Sequence, residues 1–133
     1  MNAGIFVDKE VDHIKWLVSS VQEIVDSPCC IDSPDPKAIE AALFVHKGTA
    51  MINSISLEKD RCDAILPIVA GTDLKVVALC MSDEGMPKTV EDRMKIADKL
   101  VNKLIQNNVS IGNIYGTPWC NPSPQRTVSV LNF

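Results

Sequence analysis

Short apolar runs alternate with helical patterns along this chain, and that rhythm restricts it to folds assembled from βα units. Leu74 to Cys80 is apolar except at Lys75, the pattern of a parallel strand covered on both faces. Two shorter runs precede it, Pro28 to Asp32 and Ala50 to Asn53, and Ile111 to Tyr115 begins a fourth. Helical segments fill the intervals. Asp8 is placed to cap a helix whose positions Val11, Ile14, Val18, Val21 and Val25 form one buried face, ending near Ser27-Pro28. Asp35-Pro36 starts a second helix with an N-cap residue and proline at the first helical position, and Lys47-Gly48 ends it. Ser56 is expected to cap a third, short helix through Cys62, Ile65 and Leu66, with Pro67 kinking or ending it. After a loop from Met81 to Lys88, Thr89-Val90-Glu91-Asp92 resembles a capping box, and Met94, Ala97, Val101 and Leu104 line one face of a long helix. The prolines at 118, 122 and 124 make the remainder, residues 115–133, a loop or loosely ordered tail.

These elements predict an α/β chain of about four βα units with parallel strands and right-handed crossovers. No linker divides it, so residues 1–133 read as a single domain. Asp32 and Asn53 end two successive apolar runs, each just before a helical pattern. In a parallel βα array that is the carboxyl edge of the sheet, where such folds gather ligand-holding groups. An aspartate and an asparagine on adjacent strand tips therefore read as a polar ligand site. The competing reading is that they cap or brace the loops that follow.

Composition narrows the function classes. The chain is 46% apolar and 23% charged, with a formal charge of −4. Its Lys and Arg residues are scattered among acids, so neither a nucleic-acid surface nor a polybasic membrane anchor is expected. No run approaches the roughly 20 apolar residues of a membrane span, and the N-terminus lacks a signal-peptide pattern, which points to the cytoplasm. Five cysteines, two of them adjacent at Cys29-Cys30, show no paired spacing. That argues against a disulfide framework and against a metal site, and His13 and His46 have no partner motif. His46 reads as a helix-terminal surface residue.

The stretch Cys30-Ile31-Asp32-Ser33-Pro34-Asp35-Pro36-Lys37-Ala38-Ile39-Glu40-Ala41-Ala42-Leu43, followed by Val45-His46-Lys47-Gly48 and Met51-Ile52-Asn53-Ser54, resembles the pterin-binding methyltransferases. The likeness resumes at Ala78-Leu79-Cys80-Met81-Ser82-Asp83-Glu84-Gly85-Met86-Pro87-Lys88 with Glu91-Asp92-Arg93, and reaches Asn113-Ile114-Tyr115. It is strongest toward the branch that transfers methyl groups between methyltetrahydrofolate and a corrinoid/iron–sulfur protein. The family fold is a TIM (β/α)8 barrel, which typically needs about 250 residues to close. At 133 residues the chain is expected to form a partial TIM barrel, and it reads as lacking both family ends. The resemblance implies that Asp32 and Asn53 bind the pterin ring of 5-methyltetrahydrofolate. It also matches Asn2 to an early family asparagine and sets Ser82 where close relatives carry another asparagine. The implied reaction passes the N5 methyl group to the cobalt of a corrinoid, a cobalamin-type cofactor carried by a separate corrinoid protein.

Two departures bear on activity. Thr117 stands where the family carries an aspartate that also holds the pterin, and a threonine supplies no charge there. The later family strand with an asparagine near N5 has no counterpart before Phe133. No catalytic residue is assigned. Two further readings follow: a non-catalytic fragment or interaction module whose barrel is completed by a homo-oligomer or a second chain, and an enzyme resembling dihydropteroate synthase. The Lys37-to-Gly48 helix and the Gly85-Met86-Pro87 loop favour the methyltransferase branch over the last.

Overall fold

Four parallel strands lie side by side in the order in which the chain makes them. The computed structural model describes residues 1–4, 9–117 and 131–132. Strand β1 (Cys30–Asp32) pairs with β2 (Met51–Leu57), β2 with β3 (Lys75–Ser82) and β3 with β4 (Ile114–Thr117), all parallel. Helix α1 (Glu10–Gln22) precedes β1, and α2 (Pro36–Val45), α3 (Lys59–Val69) and α4 (Val90–Gln106) form the crossovers. Ile31 faces Ile52 in a parallel ladder, as the βα reading requires. Two-residue strand β5 (Leu131–Asn132) returns antiparallel along β4. Tyr115, Gly116 and Thr117, which the sequence assigned to the tail, belong to β4. Most of the remaining tail, Asp8 and Cys120 lie outside the described residues.

Burial alternates along β3 and along β2 as far as Ser54, and identifies the face the helices cover; Ser54, Ile55 and Ser56 are buried in succession. Ile31, Ile52, Val76, Ala78 and Ile114 are at most 3% exposed and form one core with Ile14, Val18, Ile39, Ile65, Leu100 and Leu104 from the helices. Residues of the opposite parity, Met51, Asn53, Val77, Leu79 and Tyr115, stay partly exposed. The two-sided cover expected for β3 is thus absent among the described residues. In a closed barrel that second face is the packed interior, filled by strands from the far side. Here the sheet is an open arc, a partial barrel that is not closed.

Local chemistry explains most element ends. The Asp35 carboxylate accepts from Lys37 N at 2.9 Å and Pro36 occupies the first turn of α2, as the sequence predicts. Thr89 Oγ1 accepts from Asp92 N at 3.1 Å and donates to the Asp92 carboxylate at 2.7 Å, capping α4. Leu100 and Leu104 are the buried residues of that helix, whereas Met94 is exposed. Helix α1 stops at Gln22, short of Ser27, so Val25 falls beyond it and is exposed. β2 runs to Leu57, four residues past Asn53. Ser56 consequently sits in a strand and hydrogen-bonds Glu58 instead of capping α3. α3 continues two residues beyond Pro67. α2 ends at Val45 with His46 as its cap, and the left-handed residue is Gly48 (φ 84°), one position later than a glycine C′ cap would place it.

His46 is more than a surface terminus. Its Nε2 accepts the Cys29 backbone N–H at 2.8 Å, at the entrance to β1. Gln22 reinforces the junction, accepting from Lys47 N at 2.7 Å and donating to Lys47 O at 2.9 Å. The ends of α1 and α2 are thereby tied to the start of β1. At the free edge of β1, the Met1 amine donates to Cys30 O and Asp32 N donates to Met1 O at 2.9 Å. Those two bonds bracket Ile31 in the manner of a parallel pair.

Candidate functional site

Register aligns Asp32, the last residue of β1, with Asn53, which the structure places inside β2 and not at its end. Asp32 is paired with Asn53, Asn53 with Val77, and Val77 with Tyr115, so one row crosses β1 to β4. Successive side chains on a strand point to opposite faces, so members of one row share a face. Ile31 and Ile52 point into the helix-covered core, which turns Asp32 and Asn53 toward the open side. Both line a single cavity of about 550 Å³ with Ser33, Ser54, Asp60 and Arg61. That volume lies in the ordinary range for small-molecule sites, roughly 300–1,000 Å³.

The other sequence candidates divide between two places. Asn2 joins the group: its Nδ2 donates to Asp32 Oδ2 at 3.3 Å, and its own carbonyl accepts from Gly4 N at 2.9 Å. Ser82 does not. It lies at the far end of β3, five positions beyond the Val77 that pairs with Asn53. It is in step with the core-facing Val76, Ala78 and Cys80, and lines a separate cavity of about 520 Å³ with Leu57, Met86, Lys88, Lys95 and Lys99. Thr117 is paired with Leu79, two residues past the Asp32 row, and is partly exposed. Lys75 Nζ stands 5.9 Å from the centre of the Tyr115 ring, near the end of that row.

Three contributors were not singled out from sequence. Ser33 is 1% exposed and donates its hydroxyl proton to the Glu10 carboxylate, which is itself 4% exposed in the first turn of α1. Ser33 Oγ also accepts from Asp35 N at 3.0 Å, so one buried hydroxyl connects α1 to the loop carrying Asp32. The third is Arg61, in the first turn of α3. Its Nε donates to Ser54 O at 2.8 Å, and Nη1 and Nη2 donate to Pro34 O and Ser33 O, both at 2.9 Å. Burial pushes the guanidinium below its ordinary value, and the nearby Asp32 and Glu58 carboxylates work against that shift. Its eight-residue offset from Asn53 carries no motif, since nothing in the sequence announces that an arginine will meet backbone carbonyls.

Burial is also the main cause that raises the Cys30 thiol, with Asp32 and Cys29 adding to it and the Met1 amine opposing. Cys29, Cys30, Cys62 and Cys80 are free thiols, and no cluster of three metal-ligating side chains occurs among the described residues. No helix among them is long and apolar enough to cross a membrane. The described cavity lining contains neither histidine nor cysteine. Its resources are two carboxylates, Asp32 and Asp60, an amide, serine hydroxyls, backbone groups and one guanidinium, suited to holding and orienting a polar ring.

Comparison with known proteins agrees with that geometry. Residues 2–112 match the family described as pterin binding enzyme. The chain is 32% identical, over 98% of its length, to a methylcorrinoid:tetrahydrofolate methyltransferase of Eubacterium limosum, of which it covers 49%. It is 28% identical over 73% of its length to the methionine synthases of Mycobacterium leprae and Mycobacterium tuberculosis, covering 8% and 9% of them. The chain thus spans about half the length of the first of these relatives and a small part of the other two. With the row through Asp32 and Asn53, the partial barrel and a match that covers most of the sequence, the chain belongs to the pterin-binding enzyme family.

Proposed function

We propose that this chain forms the pterin-binding part of a methyltransferase that moves a methyl group between N5 of tetrahydrofolate and the cobalt of a corrinoid held by a separate protein. The observation that carries the reading is the pairing of Asp32 with Asn53 in one row, lining one cavity. A reduced pterin presents ring N–H and amino donors beside a carbonyl acceptor. Asp32 can accept two such donors while Asn53 offers one donor and one acceptor. Asn2, already bonded to Asp32, holds the carboxylate in place. The corrinoid, when its carrier docks, supplies the cobalt centre that exchanges the methyl group; the residues here orient the pterin toward it. The Eubacterium limosum relative is named for transfer toward tetrahydrofolate, and the same contacts serve either direction because both share one transition state.

Titration calorimetry with 5-methyltetrahydrofolate tests the binding claim. Asp32→Ala should weaken affinity by about 1–3 kcal/mol, the usual cost of leaving buried donors unpaired. Unchanged affinity would remove Asp32 from the site. Methyl transfer by the chain alone should be slight, because Thr117 replaces a carboxylate and the open face admits water, which weakens every charge contact. Loss of cobalt(I) absorbance after mixing chain, methyltetrahydrofolate and reduced corrinoid protein measures it. Turnover on the order of 1 s⁻¹ or faster would mean a complete site, most simply formed by two copies. The partly exposed inner face of the sheet is the surface that the remaining strands of a barrel would cover.

A further inference from the structure

We infer that Arg61 is a positioning residue that sets the spacing between Asp32 and Asn53, so that pterin recognition runs through its guanidinium without requiring that it touch the ligand. The inference rests on the pterin-binding reading above and concerns how that site is held in shape.

Its three acceptors belong to two different segments. Ser33 O and Pro34 O lie in the loop directly after Asp32, and Ser54 O directly follows Asn53. Each site residue is therefore one peptide away from a carbonyl that Arg61 holds. A guanidinium is planar and its N–H groups diverge at fixed angles, so bonding all three oxygens fixes their relative positions as well as their distances. No backbone ladder joins β1 to β2 past this point, because their pairing stops at Asp32 and Asn53 while β2 continues alongside β3. The loop after Asp32 would otherwise be free to separate from β2. Lysine could not substitute, since a single ammonium on a flexible stem cannot span the three carbonyls in one plane.

Charge adds a second constraint. Arg61 lines the same cavity as Asp32 and shares an electrostatic interaction with it. The cation is kept beside the carboxylate while three of its N–H groups are already committed to backbone. It thus balances the Asp32 charge without consuming the oxygens needed for a ligand.

The alternative is that Arg61 simply fastens α3 to the sheet. In that case its loss would lower stability and weaken binding by the same factor whatever residue stands at 32. A double-mutant cycle separates the two. Dissociation constants for 6-methyltetrahydropterin and 5-methyltetrahydrofolate are measured for the unsubstituted chain, Arg61→Met, Asp32→Asn and the double variant, with Arg61→Lys as a second, charge-preserving substitution. Arg61→Met should weaken binding about tenfold in the parent and by less than about twofold once Asp32 is replaced. Arg61→Lys should show most of the same loss, since geometry is forfeited even with charge retained. Equal factors in both backgrounds, or full binding by Arg61→Lys, would overturn the inference and leave pterin binding standing. Should Arg61→Met fail to fold, the same cycle with Arg61→Lys decides. If the unsubstituted chain binds neither pterin, the proposed function falls and this inference with it.

Discussion

Val76 and Val77 are neighbours on β3 that offer a direct measurement of which face of the sheet is covered. Val76 is fully buried among the helices, while Val77 belongs to the row containing Asp32 and Asn53 and is partly exposed. Valine to alanine removes two carbons, worth about 1.6 kcal/mol at ~0.8 kcal/mol per methylene. Under the helices, a residual cavity of roughly 40 Å³ adds about 1 kcal/mol, so Val76→Ala should cost about 2.5 kcal/mol. Val77→Ala leaves a gap that solvent can reach and should cost about 1 kcal/mol or less. The loss of strand propensity is common to both and cancels in the difference. Urea unfolding followed by circular dichroism reads the contrast: with a slope near 1.5 kcal/mol/M, the Val76 variant should lose about 1.7 M in midpoint. Equal losses, or a larger one at Val77, would mean that both faces are packed in solution and that the open-arc description is wrong. A loss at Val77 that grows with protein concentration would identify a second copy as the cover.

Two further outcomes can be checked on the same material. Asp35→Ala removes the cap that accepts Lys37 N and should destabilise the chain by about 1 kcal/mol, lowering the calorimetric Tm by roughly 3 °C; an unchanged Tm would show that α2 does not depend on its cap. Burial raises the Cys30 and Cys80 thiols above 9.0, so the unfolded chain loses those protons first as pH rises. Stability is full below that pH and falls as pH climbs through the raised values, and a Cys30→Ala/Cys80→Ala double variant should decline less steeply; parallel slopes would contradict this.

What could be read from sequence was whatever depends on neighbours along the chain. Asp35-Pro36 caps its own helix through bonds two residues away, and Asp32 and Asn53 reveal themselves because each ends an apolar run. The parallel order follows from helices long enough to cross over. Contacts between distant segments were not legible. Ser54-Ile55-Ser56 looks like the start of a loop, yet it continues β2 because β3 offers a longer partner. The apolar run at Leu74 to Cys80 suggested cover on both sides, though only its even-numbered residues meet helices. The resemblance set Ser82 where relatives carry an asparagine, and the length of β3 carries it to another cavity, away from Asp32 and Asn53. His46, Gln22, Ser33 and Arg61 act on backbone groups or carboxylates that lie seven to twenty-eight residues away, and residue type alone does not announce such partners.

The agreement between strand order and chain order also bears on how this protein folds. Every parallel ladder joins strands that are sequence neighbours, so each closure spans only roughly 20 to 40 residues, and lengthening a loop within that range adds a fraction of a kcal/mol. Pairing only sequence neighbours keeps these closures short for a parallel sheet, and each βα unit can dock on the one before it. Since Asp32 and Asn53 sit on the first two strands of that series, their pairing can form before β3 and β4 are in place.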